Sequence, residues 1–250
     1  MKKNIEVISL IYKSTEYLNF IVKQLNNLPD EINDWQIKTR IVANDATQNV
    51  LDCLKTLNIP HTIYNDEYPN HFYLNRVYRC WNFAGYSSTY DNICFVNSDM
   101  MFSTDWFANL LKHHDGINIP CSRLVESGKM HSGTYGLEKD FGKSPKTLKQ
   151  EEFNQFSNKI KECGQVKGGG LYMPCIFSKE RFVQSGMYPE GNIFKSEGRL
   201  VAGFPNDRPV YMSGDDYLFK KLENEYNMKH ITVFDSIVYH IQEGEKDEEI

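Results

Sequence analysis

Several things are missing from this 250-residue chain, and each absence narrows what it can be. No pair of its six cysteines (Cys53, Cys80, Cys94, Cys121, Cys163, Cys175) forms a CxxC, and no histidine stands at zinc-finger spacing from one, so neither a structural zinc nor a disulfide framework is indicated. The thiols read as reduced. No segment approaches the roughly 20 consecutive apolar residues of a membrane helix. The opening "MKKNIEVISLIYKS" starts basic and turns apolar like a secretion signal, but Glu6 interrupts it and no small-residue cleavage site follows. It reads instead as a first strand, and the chain is expected in the cytoplasm. Excess positive charge is lacking too: 28 Lys and Arg face 33 Asp and Glu, so no global field draws the chain to nucleic acid. Internal repeats and low-complexity tracts are absent as well.

What is present is an alternation. Ile5 to Ile11 is a short apolar run, and "STEYLNFIVKQLNNL" then spaces its apolar residues as a helix does, with Ser14 or Thr15 as cap. "WQIKTRIVAND", "HTIYN" and "NICFVNSD" read as further strands; "NVLDCLKTL", "YLNRVYRCWNFAGYSS" and Trp106 to His114 read as helices. Strands alternating with helices of this length imply βαβ units and a mainly parallel sheet in an α/β fold. The length suits one domain, read as a first half of 1–115 and a second of 116–250. From Ser122 to Gly170 the chain turns polar and Lys-rich, with one helix expected in "LKQEEFNQFSNKIKECG", and the part from His131 to Gly168 is expected to be mobile and to close over a ligand. Aromatic residues are plentiful at 13%, which suits a site that stacks rings or sugars.

One stretch stands out. "FVNSDMMF", Phe95 to Phe102, carries a buried-looking strand into Asn97, Ser98 and Asp99 and then turns apolar again. The next helix has its own cap candidates in Ser103, Thr104 and Asp105, so Asp99 is not needed there. In open α/β sheets ligands bind beyond the carboxyl ends of the strands, where Asp99 sits.

These pieces resemble the family 2 glycosyltransferases, whose catalytic domain has the GT-A fold. The likeness rests on "VISLIYKSTEYL", on "ANDAT" where that family shows Asp-Asp-x-Ser, on "RCWNFAG", on "FVNSDMMF" in place of a D-x-D, on "IFSKERFVQSGMYPEG", and on "SGDDYLF" where the family carries a Glu-Asp pair. Two acids of the pattern are replaced, by Asn44 and Asn97.

The resemblance implies a metal-dependent, inverting transfer from a nucleoside-diphosphate sugar, UDP-linked, to a hydroxyl of a glycan or another acceptor. Charge develops on the departing diphosphate, and a divalent metal bridging its oxygens neutralises it. Asp99 is the implied ligand, with Asn97 and Ser98 near the ribose. His240 in "SIVYHIQEGE" is the second, by analogy with a late histidine in similar folds, and an imidazole ligand favours Mn2+ over Mg2+. By the same resemblance Asp45 accepts from the uracil N3–H, while the backbone of Leu10 and Ile11 and the ring of Tyr12 frame the base. Arg79 and Asn82 lie three apart on one helix face and are candidates to point together at the donor, with Arg76 as the neighbouring cation. Gly169 and Gly170, in "VKGGGLYM", are placed near donor sugar and acceptor. In "SGDDYLF" Asp216 takes the position of the general base and Asp215 that of its neighbour, although two acids at a helix start are also favoured by the helix dipole.

Two other readings stay open on sequence. A degenerate member would hold a nucleotide or glycan without turnover, as the lost acids allow, although it would have no reason to keep both acids of "GDD". A glycosyltransferase acting on a modified DNA base would use the lysines between Lys143 and Lys161 against phosphate, against the overall charge.

Overall fold

The computed structural model describes residues 2–204, 208–242 and 244–245. The chain begins with β1 (Lys3–Ile11) and α1 (Thr15–Asn26), then β2 (Glu31–Ile32), β3 (Trp35–Asn44), α2 (Gln48–Thr56) and β4 (His61–Tyr64). Next come α3 (Tyr73–Ser87), β5 (Asn92–Val96), β6 (Met100–Phe102) and α4 (Trp106–Leu111). The second half supplies β7 (Asn118–Glu126), β8 (Leu137–Glu138), a 3-10 turn at Pro145–Thr147, α5 (Gln150–Ile160), β9 (Val166–Gly168) and β10 (Cys175–Ser178). It ends with α6 (Lys179–Gln184), β11 (Asn192–Ser196), β12 (Arg199–Gly203), α7 (Gly214–Tyr226) and β13 (Lys229–His240).

The main sheet runs β2-β3-β1-β5-β10-β7-β13-β6, with β4 on β3, β8 on β7 and β9 on β13. Strands β1, β3, β4 and β5 are mutually parallel, as are β7 and β13, while β10 runs against both of its neighbours. The two halves are interleaved: β10 of the second half pairs with β5 of the first, and β6 of the first closes the edge beyond β13. A small hairpin of β11 and β12 stands apart.

Both faces of the sheet are covered, which explains why its central strands read as unbroken apolar runs. Successive side chains of β5 alternate between the two sides: Cys94 and Val96 join the layer of α1, α4 and α5, and Ile93 and Phe95 join that of α3, α6 and α7. Helix α1 starts where Ser14 accepts from the Tyr17 N–H at 3.3 Å, the capping expected of serine. The amino side of α3 carries site residues, and its carboxyl side is fixed by a buried bidentate pair between Arg40 and Glu6, whose guanidinium also donates to the Ala84 carbonyl.

The polar segment after Ser122 carries the helix expected of it, as α5, and more order than its composition suggests. Between 131 and 168 it contributes β8, α5 and β9, the two strands pairing into the main sheet, and it sends Phe141 and Phe153 into the core at 1% and 0% exposure. Tyr239 binds it from below, accepting from the Phe141 N–H at 3.1 Å and donating to the Gly142 carbonyl at 2.7 Å. Widely spaced aromatic anchors do what periodicity does elsewhere, and a lysine-rich sequence conceals them. The last strand, β13, has an irregular register between Val233 and Ile237. Among the described residues no helix is long and apolar enough to cross a membrane.

Candidate functional site

At the carboxyl ends of β1, β3 and β5 a cavity of about 600 Å3 opens. Leu10, Tyr12, Asn97, Ser98 and Asp99 line it, together with Asn44 and with Arg76 and Trp81 of α3. Clefts of comparable size lie between α1 and the β6–α4 turn and at the amino ends of the strands, and neither carries a residue named from the sequence as a catalytic, donor-binding or metal candidate.

Asp99 is brought to His240 by strand register. It directly precedes β6, and His240, the last residue of β13, lies opposite Met100 on one side and opposite Glu126, the last residue of β7, on the other. The backbone N–H of Ile241 donates to the Asp99 carbonyl at 3.1 Å and ties the two strand ends together. In the result, His240 Nε2 lies 3.3 Å from Asp99 Oδ2 and its Nδ1 lies 3.1 Å from Glu126 Oε1. Burial works against the imidazolium, but Asp99 first and Glu126 second outweigh it, and the pKa of His240 is pushed up to about 10. Burial acts to raise Asp99 and Glu126, and the histidine between them more than offsets that, holding both below the usual carboxylate range.

Among the described residues no group of three or more His, Cys, Asp or Glu side chains is arranged to hold a metal ion by itself. Asp99 and His240 nevertheless fit a divalent ion whose other ligands come from a diphosphate and water. They supply one carboxylate oxygen and one imidazole nitrogen from neighbouring strand ends, and Glu126 engages the far ring nitrogen in the way that orients metal-binding histidines. Nothing in the local sequence "LVES" marked Glu126; only strand pairing shows it.

The second acid pair lies in the first turn of α7, whose N-cap Ser213 accepts from the Asp216 N–H at 3.0 Å. Asp215 accepts from the Tyr78 hydroxyl of α3 at 3.1 Å. Asp216 accepts from the Tyr172 hydroxyl at 3.0 Å and from Lys220, one helical turn on, at 2.7 Å. The adjacent acids thus have different surroundings. Burial, with a smaller push from Asp216, raises Asp215 to about 6 even though Tyr78 acts the other way. Gly214 permits this: a Cβ there would come within 2.6 Å of the Tyr78 ring and 2.9 Å of the Gly191 carbonyl. Neither tyrosine was singled out from the sequence.

A pH-dependent stability follows from Asp215. Its folded pKa lies above the unfolded value of about 4, so the folded state prefers the proton, and stability falls as pH rises from about 4 through about 6. Asp215→Asn, which mimics the neutral acid, is expected to melt above the wild type at about pH 8 and to lose that advantage as pH falls towards about 4. Thermal melts of both proteins across that range check it; a variant that melts below the wild type at high pH would contradict it.

Other residues named from the sequence go elsewhere. Both oxygens of Asp45 are engaged, one by the Asp66 N–H at 2.7 Å and one by Arg76 at 2.9 Å, and its φ of 47° keeps it in that turn. Arg79 is clamped by Asp66 at 2.8 and 2.9 Å and reaches Glu190 at 3.4 Å. Asn82 exchanges two hydrogen bonds with the backbone of Tyr188. The shared face of Arg79 and Asn82 therefore holds the 188–190 loop and not the cavity, because the partners that claim it lie in loops whose approach the helix pattern does not encode. Gly169 and Gly170 pass close to β13: the Gly169 N–H donates to the His230 carbonyl at 2.9 Å, and a Cβ on Gly170, whose φ is 118°, would overlap Thr232. Their close approach delivers Tyr172 to Asp216.

No protein-family profile matches the chain, and no curated protein does. Solved structures do. GalNAc-T7, crystallised with UDP, GalNAc and Mn2+, superposes with a TM-score of 0.56 at 10% identity over 95% of this chain and 44% of its own. TarS 1-349 of S. aureus, in complex with UDP-GlcNAc, gives 0.55 at 14% identity over 98% and 60%. The mannosyltransferase PcManGT of Pyrobaculum calidifontis, with GDP-Man and Mn2+, gives 0.53 at 13% over 95% and 56%. The chain thus spans about half the length of the proteins it resembles. These likenesses carry the architecture: the chain has the GT-A fold of nucleotide-sugar glycosyltransferases.

Proposed function

We propose that the chain is a metal-dependent, inverting glycosyltransferase that takes a sugar from a UDP-linked donor and delivers it to a hydroxyl of a glycan or another acceptor. The observation that carries this reading is the line Asp99–His240–Glu126 beside a ring-bearing cavity at the carboxyl end of the sheet. Three neighbours of the same fold were solved with UDP, UDP-GlcNAc or GDP-Man, two of them with Mn2+, which supports a nucleotide-sugar donor and a divalent ion.

In this reading Tyr12 and Trp81 frame the nucleoside, with Leu10, Asn97 and Ser98 beside them. Asp99 and His240 hold a divalent ion, Mn2+ by preference, whose charge offsets that developing on the diphosphate. Asp216 takes the proton of the acceptor hydroxyl as its oxygen bonds to the sugar anomeric carbon and the bond from that carbon to the diphosphate breaks, on the opposite face. Tyr172 and Lys220 fix the carboxylate, and Asp215 with Tyr78 forms the wall behind it.

The test is slow donor hydrolysis. A panel of UDP- and GDP-sugars, incubated with the protein and Mn2+ or Mg2+, is expected to release nucleoside diphosphate from one UDP-sugar in a metal-dependent way. No release from any donor with either metal, and no binding of any donor by calorimetry, would refute the reading.

A further inference from the structure

Three consecutive backbone amides in the link from β1 to α1 converge on one carboxylate. The N–H groups of Tyr12, Lys13 and Ser14 donate to Glu245 at 3.0, 2.7 and 2.8 Å, and the Ser98 hydroxyl adds a fourth bond at 3.3 Å. A row of successive backbone amides forms an anion-binding concavity, and the positive end of α1, whose N-cap is Ser14, lies beside it. The carboxylate it holds comes from a residue more than 230 positions away, and Gly244 and Glu245 line the same cavity as Asp99 and Trp81. Asn44, 6% exposed, also lines that cavity, and its buried side-chain oxygen has no hydrogen-bond partner among the described residues. The amides beside that cavity are thus satisfied by the protein's own acid. Burial raises the pKa of Glu245 despite its four donors, so the charged carboxylate is less well accommodated there than in water.

We propose that the amides of Tyr12, Lys13 and Ser14 form an anion subsite of the donor cavity and that Glu245 is its internal occupant, so that a nucleoside diphosphate and the Gly244–Glu245 segment compete for it. Ser98, which donates to Glu245, directly precedes Asp99, so the subsite borders the position of the metal-bound diphosphate. The inference rests on the donor reading above. It adds that the resting protein is partly self-inhibited.

The experiment uses the full chain as wild type, Glu245→Ala and Glu245→Gln, titrated with UDP and with GDP in the presence of Mn2+. Competition predicts that Glu245→Ala binds nucleotide about 5- to 100-fold more tightly than the wild type, the span typical of coupling between two ligands, with Glu245→Gln in between because its amide keeps the shape without the charge. Equal or weaker binding by Glu245→Ala overturns the proposal. Binding by none of the three proteins overturns the donor reading and with it the competition. The seating of Glu245 is read separately from the amide proton resonances of Lys13 and Ser14 without nucleotide. They move upfield in Glu245→Ala if the carboxylate holds them, and their staying in place refutes the contact itself.

Discussion

Asp216→Asn is expected to retain donor and metal binding while transfer to acceptor falls by roughly 10²- to 10⁴-fold, the usual scale of general-base catalysis. The substitution keeps the oxygen that accepts from Tyr172 and loses only the basic, charged partner of Lys220, so shape survives and proton acceptance does not. Asp215→Asn provides the contrast. Its carboxylate faces Tyr78 under α3, so it is expected to raise KM for donor or acceptor more than it lowers kcat. If both acids only favour the start of α7, each is worth about 0.3 to 1 kcal/mol of stability and turnover stays nearly intact in both variants. Steady-state kinetics at saturating donor separates these outcomes by orders of magnitude.

The second large effect concerns Asp99. Removing it as Asp99→Ala takes away one of two ligands and leaves His240 with Glu126 alone, so the Mn2+-dependent part of UDP binding is expected to vanish and the residual affinity to match that of the wild type in chelator. Glu126→Ala leaves both ligands in place but frees the imidazole to rotate, and is expected to weaken Mn2+ by about 10- to 100-fold, the scale found for groups that orient metal-bound histidines. Calorimetric titration of UDP with Mn2+, with Mg2+ and without metal reads both changes, and electron paramagnetic resonance of free Mn2+ measures the ion directly. Equal UDP affinity of the wild type with and without metal would dismiss the metal site. A Glu126→Ala protein that binds Mn2+ as the wild type does would dismiss the orienting role.

What could be read from the sequence was local. Strands β1, β3 and β5 declared themselves as apolar runs because they are buried on both faces, and α1 and α3 by the spacing of residues such as Leu18, Ile21, Tyr78 and Trp81 that point one way. Asp99 was visible because a single carboxylate at a strand tip has few structural uses. What was hidden depends on pairing between distant strands or on loops. Glu126 acquires meaning only when β13 aligns His240 against it, and Arg79 looked free because Asp66 comes from a loop that helix spacing cannot anticipate. The buried Phe141 and Phe153 lay among lysines, where composition pointed to solvent. Glu245 gains its four donors only because β13 carries the chain back to the β1–α1 link, which no local pattern around it encodes.

The place of β13 between β7 and β6 has a consequence for how the protein is made. Its neighbours in the sheet, ending at residues 126 and 102, leave the ribosome long before it does, so for most of synthesis they flank a gap in the sheet. Pairing across so many intervening residues is among the slowest events in folding. Asp99 and Glu126 are translated more than a hundred residues ahead of the histidine that joins them, and a chain interrupted before residue 240 carries two acids without the imidazole between them. The proposed metal site would therefore report on completion of the fold: nascent or truncated chains are expected not to capture the ion, and its acquisition in a translation reaction would mark the moment the last long strand has docked.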